Sequence, residues 1–179
     1  MNSRLFAAYG AGLNRTDMAK HCPTAKLIGS AVLKNYRLSF RGSKAGALAT
    51  IEKAKGGSVP ALLWEISPQD EAALDRWIGV PELYRKTAIK VRRDGTLADA
   101  LIYILNSGKP QNKPSAFYYS TLLEGYIAAG FDTTILKSAV QEGDQDASGA
   151  IIVTTPCRAT SPPLSGSIGG WGGCPNGAR

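Results

Sequence analysis

Tyr9-Gly10-Ala11-Gly12-Leu13-Asn14 is the stretch best suited to hold a small ligand. It follows a short apolar run, LFAA, and precedes a helix-like DMAKHC. Glycines at such a junction let backbone N–H groups approach a ligand closely. The coming helix start adds positive potential, so a carboxylate or a developing oxyanion could be held there. A tight turn with no ligand would use the same two glycines. The loop is not a dinucleotide fingerprint, because the third glycine and the distant acidic partner are missing. Nor is it a P-loop, since no Gly-Lys-Ser or Gly-Lys-Thr follows. His21 is the only histidine, and it reads as a helix-surface residue rather than a base. Cys22, Cys157 and Cys174 are odd in number, with no Cys-x-x-Cys, which argues against a disulfide framework or a zinc site.

The elements that must position the loop can be read from periodicity. LFAAYG reads as a first strand, and Asn14 or Thr16 as the cap of a helix that ends by Pro23. LIGSAVL and YRLSF read as two strand pieces. ALATIEKA is a further strand, Gly56-Gly57 a turn, and VPALLWEI an apolar strand whose Pro60 suits an edge. Ser67-Pro68-Gln69-Asp70 is a helix start, with Ser at the cap and Asp three residues on. Ala73, Leu74 and Trp77 form the apolar stripe of that helix, and Gly79 stops it. TAIKVRR and ALIYIL form a hairpin about Asp94-Gly95. Helices follow from Ser115 and from Thr133, and either Tyr118 or Tyr119 must turn inward on the first of these. About six strands and three or four helices, unevenly interleaved, predict an α+β fold with a mixed or mainly antiparallel, curved sheet and helices at its edge.

Length and composition set bounds. With 179 residues, 44% hydrophobic and 20% charged, the chain can bury one ordinary core. No apolar run is long enough for a membrane helix, and the opening MNSRLFAAYG is expected to be a strand rather than a secretion signal, so the cytoplasm is the expected compartment. The formal charge of +7 is modest. Arg85, Lys86, Lys90, Arg92 and Arg93 are the densest basic run, but they alternate along a strand without interleaved aromatics. Neither nucleic acid nor membrane is an expected partner. Residues 1–143 carry the strand and helix patterns. Residues 144–179 are rich in Gly, Ser, Thr and Pro and are expected to be a disordered tail.

Three separated stretches, in order, resemble the gamma-glutamylcyclotransferase-like (AIG2-like) superfamily over about residues 4–142. They are YGAGLNRTDMAKHCPTAKLIGSAVLKNYRLSFRG, LLWEISPQDEAALDRWIGVPELYRK and ALIYILNSGKPQNKPSAFYYSTLLEGYIAAGFD. The resemblance implies a small, mainly antiparallel β-barrel flanked by helices. It implies release of 5-oxoproline from a gamma-glutamyl amine or peptide, in which the free α-amine attacks its own γ-carbonyl. It implies no metal and no organic cofactor. The glycine loop would hold the glutamyl part through Tyr9, Gly10, Ala11, Gly12 and Leu13, with Tyr84 facing the ligand.

In the resemblance a glutamate within an LDRYEGYP-like segment moves the proton. Here Leu74, Asp75, Gly79 and Pro81 match that segment, and Ile78 stands at the glutamate. Ala11 and Gly12 stand where Ser and Asn are usual. Two other carboxylates are expected to replace the missing base. Glu82 lies just past Pro81, in a segment that can loop toward a pocket; otherwise it is a solvated acid or a partner of Arg85 or Lys86. Glu65 alternates with Trp64 and Ile66 and so faces the opposite way, toward a barrel lumen. If neither serves, the chain is an inactive homologue that binds a small amino-acid-like carboxylate or a protein partner.

Overall fold

The computed structural model describes residues 3–145. Five strands close into a barrel: β1 (Arg4–Ala8), β2 (Lys26–Arg41), β3 (Leu48–Ile66), β4 (Tyr84–Arg93) and β5 (Thr96–Leu105), in the spatial order β1-β3-β2-β4-β5. Neighbours pair antiparallel, except that β1 closes on β5 in parallel at Phe6↔Leu101. The β2–β4 seam is pinned by one pair, Val32↔Arg92. Four helices lie around the barrel: α1 (Arg15–His21), α2 (Pro68–Ile78), α3 (Ala116–Ala129) and α4 (Thr133–Gln145). The fold is the expected α+β barrel with flanking helices.

The strand count differs from expectation for one reason. The pieces on either side of Lys34 belong to one strand, β2, and those on either side of Gly56-Gly57 belong to β3. Pairing stops at Lys34↔Ser58 and resumes at Tyr36↔Lys53, so residues 54–57 loop out opposite Asn35 and then rejoin the same partner. Asn35 takes φ 62° and its side-chain oxygen accepts from the N–H of Gly56 at 3.1 Å. A local turn signal is thus a bulge within a continuing ladder. Pro60 lies just past the last β1–β3 pair, Ala8↔Leu62, where β3 has one neighbour fewer and a missing N–H costs nothing. The β4–β5 hairpin pairs without a break from Arg93↔Thr96 to Tyr84↔Leu105 around Asp94 and Gly95, both at positive φ.

The helix signals fall where the residues placed them. Asn14 caps α1 by accepting from the N–H groups of Thr16 and Asp17. Ser67 and Asp70 form a reciprocal capping box at α2, and Gly79 ends it in the left-handed conformation. Asp70 is 3% exposed, and its carboxylate accepts from Thr24 Oγ1 at 2.6 Å, Ser67 Oγ at 2.8 Å and Ser67 N–H at 3.0 Å. Burial alone would raise its pKa, but these hydrogen bonds outweigh it and hold the carboxyl below its ordinary value. Its stabilisation is therefore present above about pH 4 and is lost as pH falls through the depressed value. Asp70→Ala strands buried donors. It should cost about 2 kcal/mol at pH 7 in urea unfolding, and the difference from the parent should shrink toward pH 2. A constant difference at both pH values would refute the charged-cap account.

The helix α4 runs to Gln145, and Arg37 ties it to the barrel by reaching Glu142 at 3.1 Å and Glu52 at 2.9 Å. The expected tail lies, from residue 146 on, outside the described residues. Among those residues no helix is long and apolar enough to cross a membrane. Much of the basic run is paired: Lys86 with Glu71 and Asp75, Lys90 with Asp99, and Arg93 with Asp94.

Candidate functional site

The chain leaves β1 at Ala8 and tightens at once into a short 3₁₀ turn, Ala11–Leu13. Leu13 N–H donates to Gly10 at 2.9 Å and Asn14 N–H to Ala11 at 3.1 Å. A turn of this kind leaves the N–H groups at its start, here those of Ala11 and Gly12, without acceptors inside the turn. From the other side the Trp64 indole N–H donates to the Gly12 carbonyl at 3.1 Å. Gly12 is closely surrounded, and a side chain there would press on its neighbours. A β-carbon there would stand 3.0 Å from Ala8 Cβ, 3.3 Å from Phe6 and 3.4 Å from Met18. Gly125 of α3 lies directly against Leu13 and Asn14, which seats the turn from above.

This turn edges a cavity of about 290 Å³. Its walls are Phe6 to Gly12 of β1 and the loop, Leu48 and Ala49 of β3, Trp77 and Ile78 at the end of α2, Leu83 and Tyr84 entering β4, Tyr103 of β5 and Tyr118 of α3. The wall is mostly apolar. Its polar side chains are four tyrosines, and each hydroxyl has a protein partner. Tyr9 donates to the Tyr103 carbonyl at 2.6 Å, and Tyr84 to the Ala49 carbonyl at 2.8 Å. Tyr103 donates to Asp75 Oδ1 at 2.7 Å. The Tyr118 oxygen accepts from the Ala49 N–H at 3.4 Å. Burial pushes the Tyr118 phenol up to about 12 and also raises Tyr9, Tyr84 and Tyr103, with Asp75 adding to the rise at Tyr103. All four remain neutral at physiological pH, so they shape and donate but do not act as bases.

Of the residues expected at a site, Tyr9, Gly10, Ala11, Gly12, Ile78 and Tyr84 come together on this cavity. Leu13 does not line it. It is fully buried beneath Gly125, because the 3₁₀ turn rotates its side chain into the core. Glu65 is elsewhere. Strand alternation does set it opposite Trp64, but at this end of β3 it is Trp64 that reaches the loop. Glu65 accepts from Ser3 Oγ at 2.7 Å in a separate groove with Thr24, Lys26 and Ser67. Glu82 is exposed and also outside the wall. Asn106 donates to the carbonyls of Pro81 and Glu82, at 2.7 and 3.1 Å, and the next residue, Leu83, is the one that enters the cavity. Among the described residues that line the cavity, none is acidic or basic.

Sequence reasoning passed over Trp77, Leu83 and Tyr103 as parts of the wall. Trp77, expected in the core, stacks on His21 with ring centroids 4.2 Å apart while its other edge meets the cavity. Alternation in ALIYIL sets Tyr103 opposite Ile102, but with apolar residues on both faces it does not tell which face meets the cavity. The Cys22 thiol is buried, donates to the Asp70 carbonyl and is pushed up to about 11 by that burial, so it is no nucleophile. Among the described residues no cluster of His, Cys, Asp and Glu has the make-up of a metal site.

A family model described as gamma-glutamyl cyclotransferase, AIG2-like, matches residues 6–125. Among solved structures, one described as a gamma-glutamyl cyclotransferase is 23% identical with a TM-score of 0.69, over 77% of this chain and 86% of its own. The human protein described as uncharacterized protein loc79017 is also 23% identical at a TM-score of 0.69, over 78% and 87%. YkqA from Bacillus subtilis is 20% identical at 0.67, over 80% of this chain and 55% of its own. At these identities the structural likeness speaks for the fold. No curated protein gives a match.

Proposed function

The chain belongs to the gamma-glutamyl cyclotransferase, AIG2-like family, and from that premise we propose that its cavity binds a small gamma-glutamyl-type compound through a carboxylate at the glycine loop, with turnover to 5-oxoproline impaired. One observation carries the second half: Ile78, which the motif resemblance sets at the proton-moving glutamate's position, lies in the wall, and no other lining residue among those described is a carboxylate or histidine that could take that role. Ring closure needs the α-ammonium to lose a proton before its nitrogen can attack, and the leaving amine to gain one. Isoleucine does neither. The glycine loop and the cavity support the first half of the proposal. The loop N–H groups of Ala11 and Gly12 suit a carboxylate or a tetrahedral oxyanion, and the cavity beside them could supply the positioning on which intramolecular attack depends. A cytoplasmic setting, in which Cys22 stays reduced, belongs to the same proposal.

The loop N–H groups and the cavity favour one further reading, slow turnover in which solvent deprotonates the amine. Release would then climb with pH as the free amine forms. The test is to incubate the purified chain with gamma-glutamyl amino acids and amines at pH 7 and pH 9 and follow both its melting temperature and 5-oxoproline. A raised melting temperature with no release at pH 7 is the expected result. Brisk release at pH 7 that disappears in Glu82→Gln or Glu65→Gln would overturn the proposal and assign the base to that carboxylate.

A further inference from the structure

A second recess backs onto the strands that wall the cavity. Ala49, Tyr84 and Tyr103 line the cavity, and the next residue on each strand, Thr50, Arg85 and Ile104, lines the recess, as strand alternation requires. Its volume is about 440 Å³. The short loop after β5, Asn106-Ser107-Gly108-Lys109, forms one rim. That loop is tied down at both ends. The Asn106 N–H donates to the Leu83 carbonyl at 2.9 Å. Just beyond Lys109, the Pro110 carbonyl accepts from the Gly42 N–H at 2.8 Å and the Asn112 N–H donates to the Phe40 carbonyl at 3.2 Å. Between these ties Gly108 takes φ 91°. Among the described residues, the N–H groups of Ser107, Gly108 and Lys109 have no protein acceptor. Successive unpaired N–H groups about a glycine at positive φ are a common backbone device for holding an anion.

The charges of the recess point the same way. Arg41, Lys53, Arg85 and Lys109 line it, against one carboxylate, Glu52. Glu52 is taken up by Arg41 and by Arg37, whose Nη2 lies at 2.9 Å. Arg41 also donates to the Lys109 carbonyl at 3.2 Å. Lys53, Arg85 and Lys109 have no carboxylate partner among the described residues. Three unpaired cations on one recess repel one another, and a multiply charged anion relieves that repulsion better than a single charge does. The volume is that of a small-molecule site rather than of a single ion. Tyr36, Ile51 and Ile104 give it apolar surface beside the cations.

We infer that this recess binds a small phosphate monoester. Lys53, Arg85, Lys109 and the loop N–H groups take the phosphate, and the apolar side chains take the group that carries it. A phosphate monoester is close to a dianion near neutrality and offers three terminal oxygens, which matches several cations and a row of N–H donors better than a carboxylate does. The site is separate from the cavity and does not depend on what the glycine loop holds.

Three probes test it by calorimetric titration of the full chain at pH 8. Phenyl phosphate and methyl phenyl phosphate share ring and phosphate but differ by one negative charge, and inorganic phosphate lacks the ring. Phenyl phosphate should bind about tenfold more tightly than either, and more weakly as salt is added. Its affinity should fall about tenfold in the double variant Arg85→Gln, Lys109→Gln at an unchanged melting temperature, since neither side chain has an ion pair to lose. Inorganic phosphate binding as tightly as phenyl phosphate would overturn the assignment to an ester. Equal binding of the methyl ester would overturn the assignment to a dianion. Undiminished binding in the double variant would place the phosphate elsewhere on the chain, and no binding at all would leave the recess without a ligand of this class. Either result overturns the inference, and none of these outcomes bears on turnover at the cavity.

Discussion

Ile78→Glu is expected to raise 5-oxoproline release from a gamma-glutamyl amide by about 10²–10⁴-fold, the usual worth of a positioned proton acceptor. The change puts a carboxylate at the last residue of α2, immediately before the left-handed Gly79, with its side chain in the cavity wall. Two effects should raise the pKa of that carboxyl above the ordinary glutamate value of about 4.3. Its neighbours are apolar, and the carbonyl end of a helix disfavours negative charge. A raised value brings the group nearer to neutrality, where a base that must later act as an acid works best. Release should therefore increase as pH rises through the new group's pKa. Stability should move the other way. Below about pH 4.3 the variant should match the parent. As pH rises the folded chain must hold a charge it solvates poorly, and it should lose about 1–3 kcal/mol in urea unfolding. Gly12 stays as it is in this experiment, because a side chain there would press on Phe6, Ala8 and Met18. A folded variant that binds a gamma-glutamyl amide but releases no 5-oxoproline would show that the loop cannot orient the amine for attack, whatever the base.

The second large effect is expected at Gly125, a residue with no chemistry of its own. A β-carbon there would lie 2.7 Å from Leu13 Cβ, 3.1 Å from the Leu13 carbonyl carbon and 3.2 Å from the Asn14 nitrogen. Two of these are backbone atoms, which cannot swing aside as a side-chain tip can. Gly125→Ala gains about 1 kcal/mol of helix propensity but must push α3 off the loop, for a net loss of about 1–2 kcal/mol. Gly125→Leu cannot be accommodated by so small a shift. It should cost more than about 3 kcal/mol, read as a fall in melting temperature of about 10 °C. The same displacement unseats the turn that carries the Ala11 and Gly12 N–H groups, so ligand affinity should fall in Gly125→Ala even at temperatures where the chain is fully folded. An unchanged melting temperature in both variants would mean that α3 does not seat on the loop as described.

These two residues also show how much the sequence could tell. Signals that act within a few residues were legible: the Ser67–Asp70 box, Asn14 ahead of its helix, the Asp94-Gly95 hairpin, Gly79 as a stop. Each depends on a backbone group satisfied locally. Ile78 was legible by alignment with a motif. What could not be read depends on which distant segment lies opposite. Gly56-Gly57 looks like a turn between strands because nothing local says that β3 will return to β2 after four residues. Glu65 was placed correctly opposite Trp64, yet the face that looks toward the loop is set by how the sheet curls, not by alternation. Glu82 was one residue from the wall, and the side that faces in is fixed by Asn106, distant in sequence. Gly125 gave no sign of its contact with Leu13.

The barrel itself has an uneven perimeter. At three of its five seams neighbouring strands are laced by consecutive pairs, while β2 and β4 meet at Val32↔Arg92 and β1 and β5 at Phe6↔Leu101, one pair each. It is a rolled sheet fastened by two clasps, the first helped by Arg93 Nη2 reaching the Ile28 carbonyl at 3.3 Å. Closure still hides strand edges that would otherwise recruit other chains, but breathing motions of the native state are drawn to such thin places. Ile28, Val32, Arg92 and Arg93 are all absent from the cavity wall, whereas Phe6 is part of it. Loosening at the first clasp therefore leaves the pocket its shape, and loosening at the second opens the pocket with it, so that one fastening guards the fold and the other guards recognition as well.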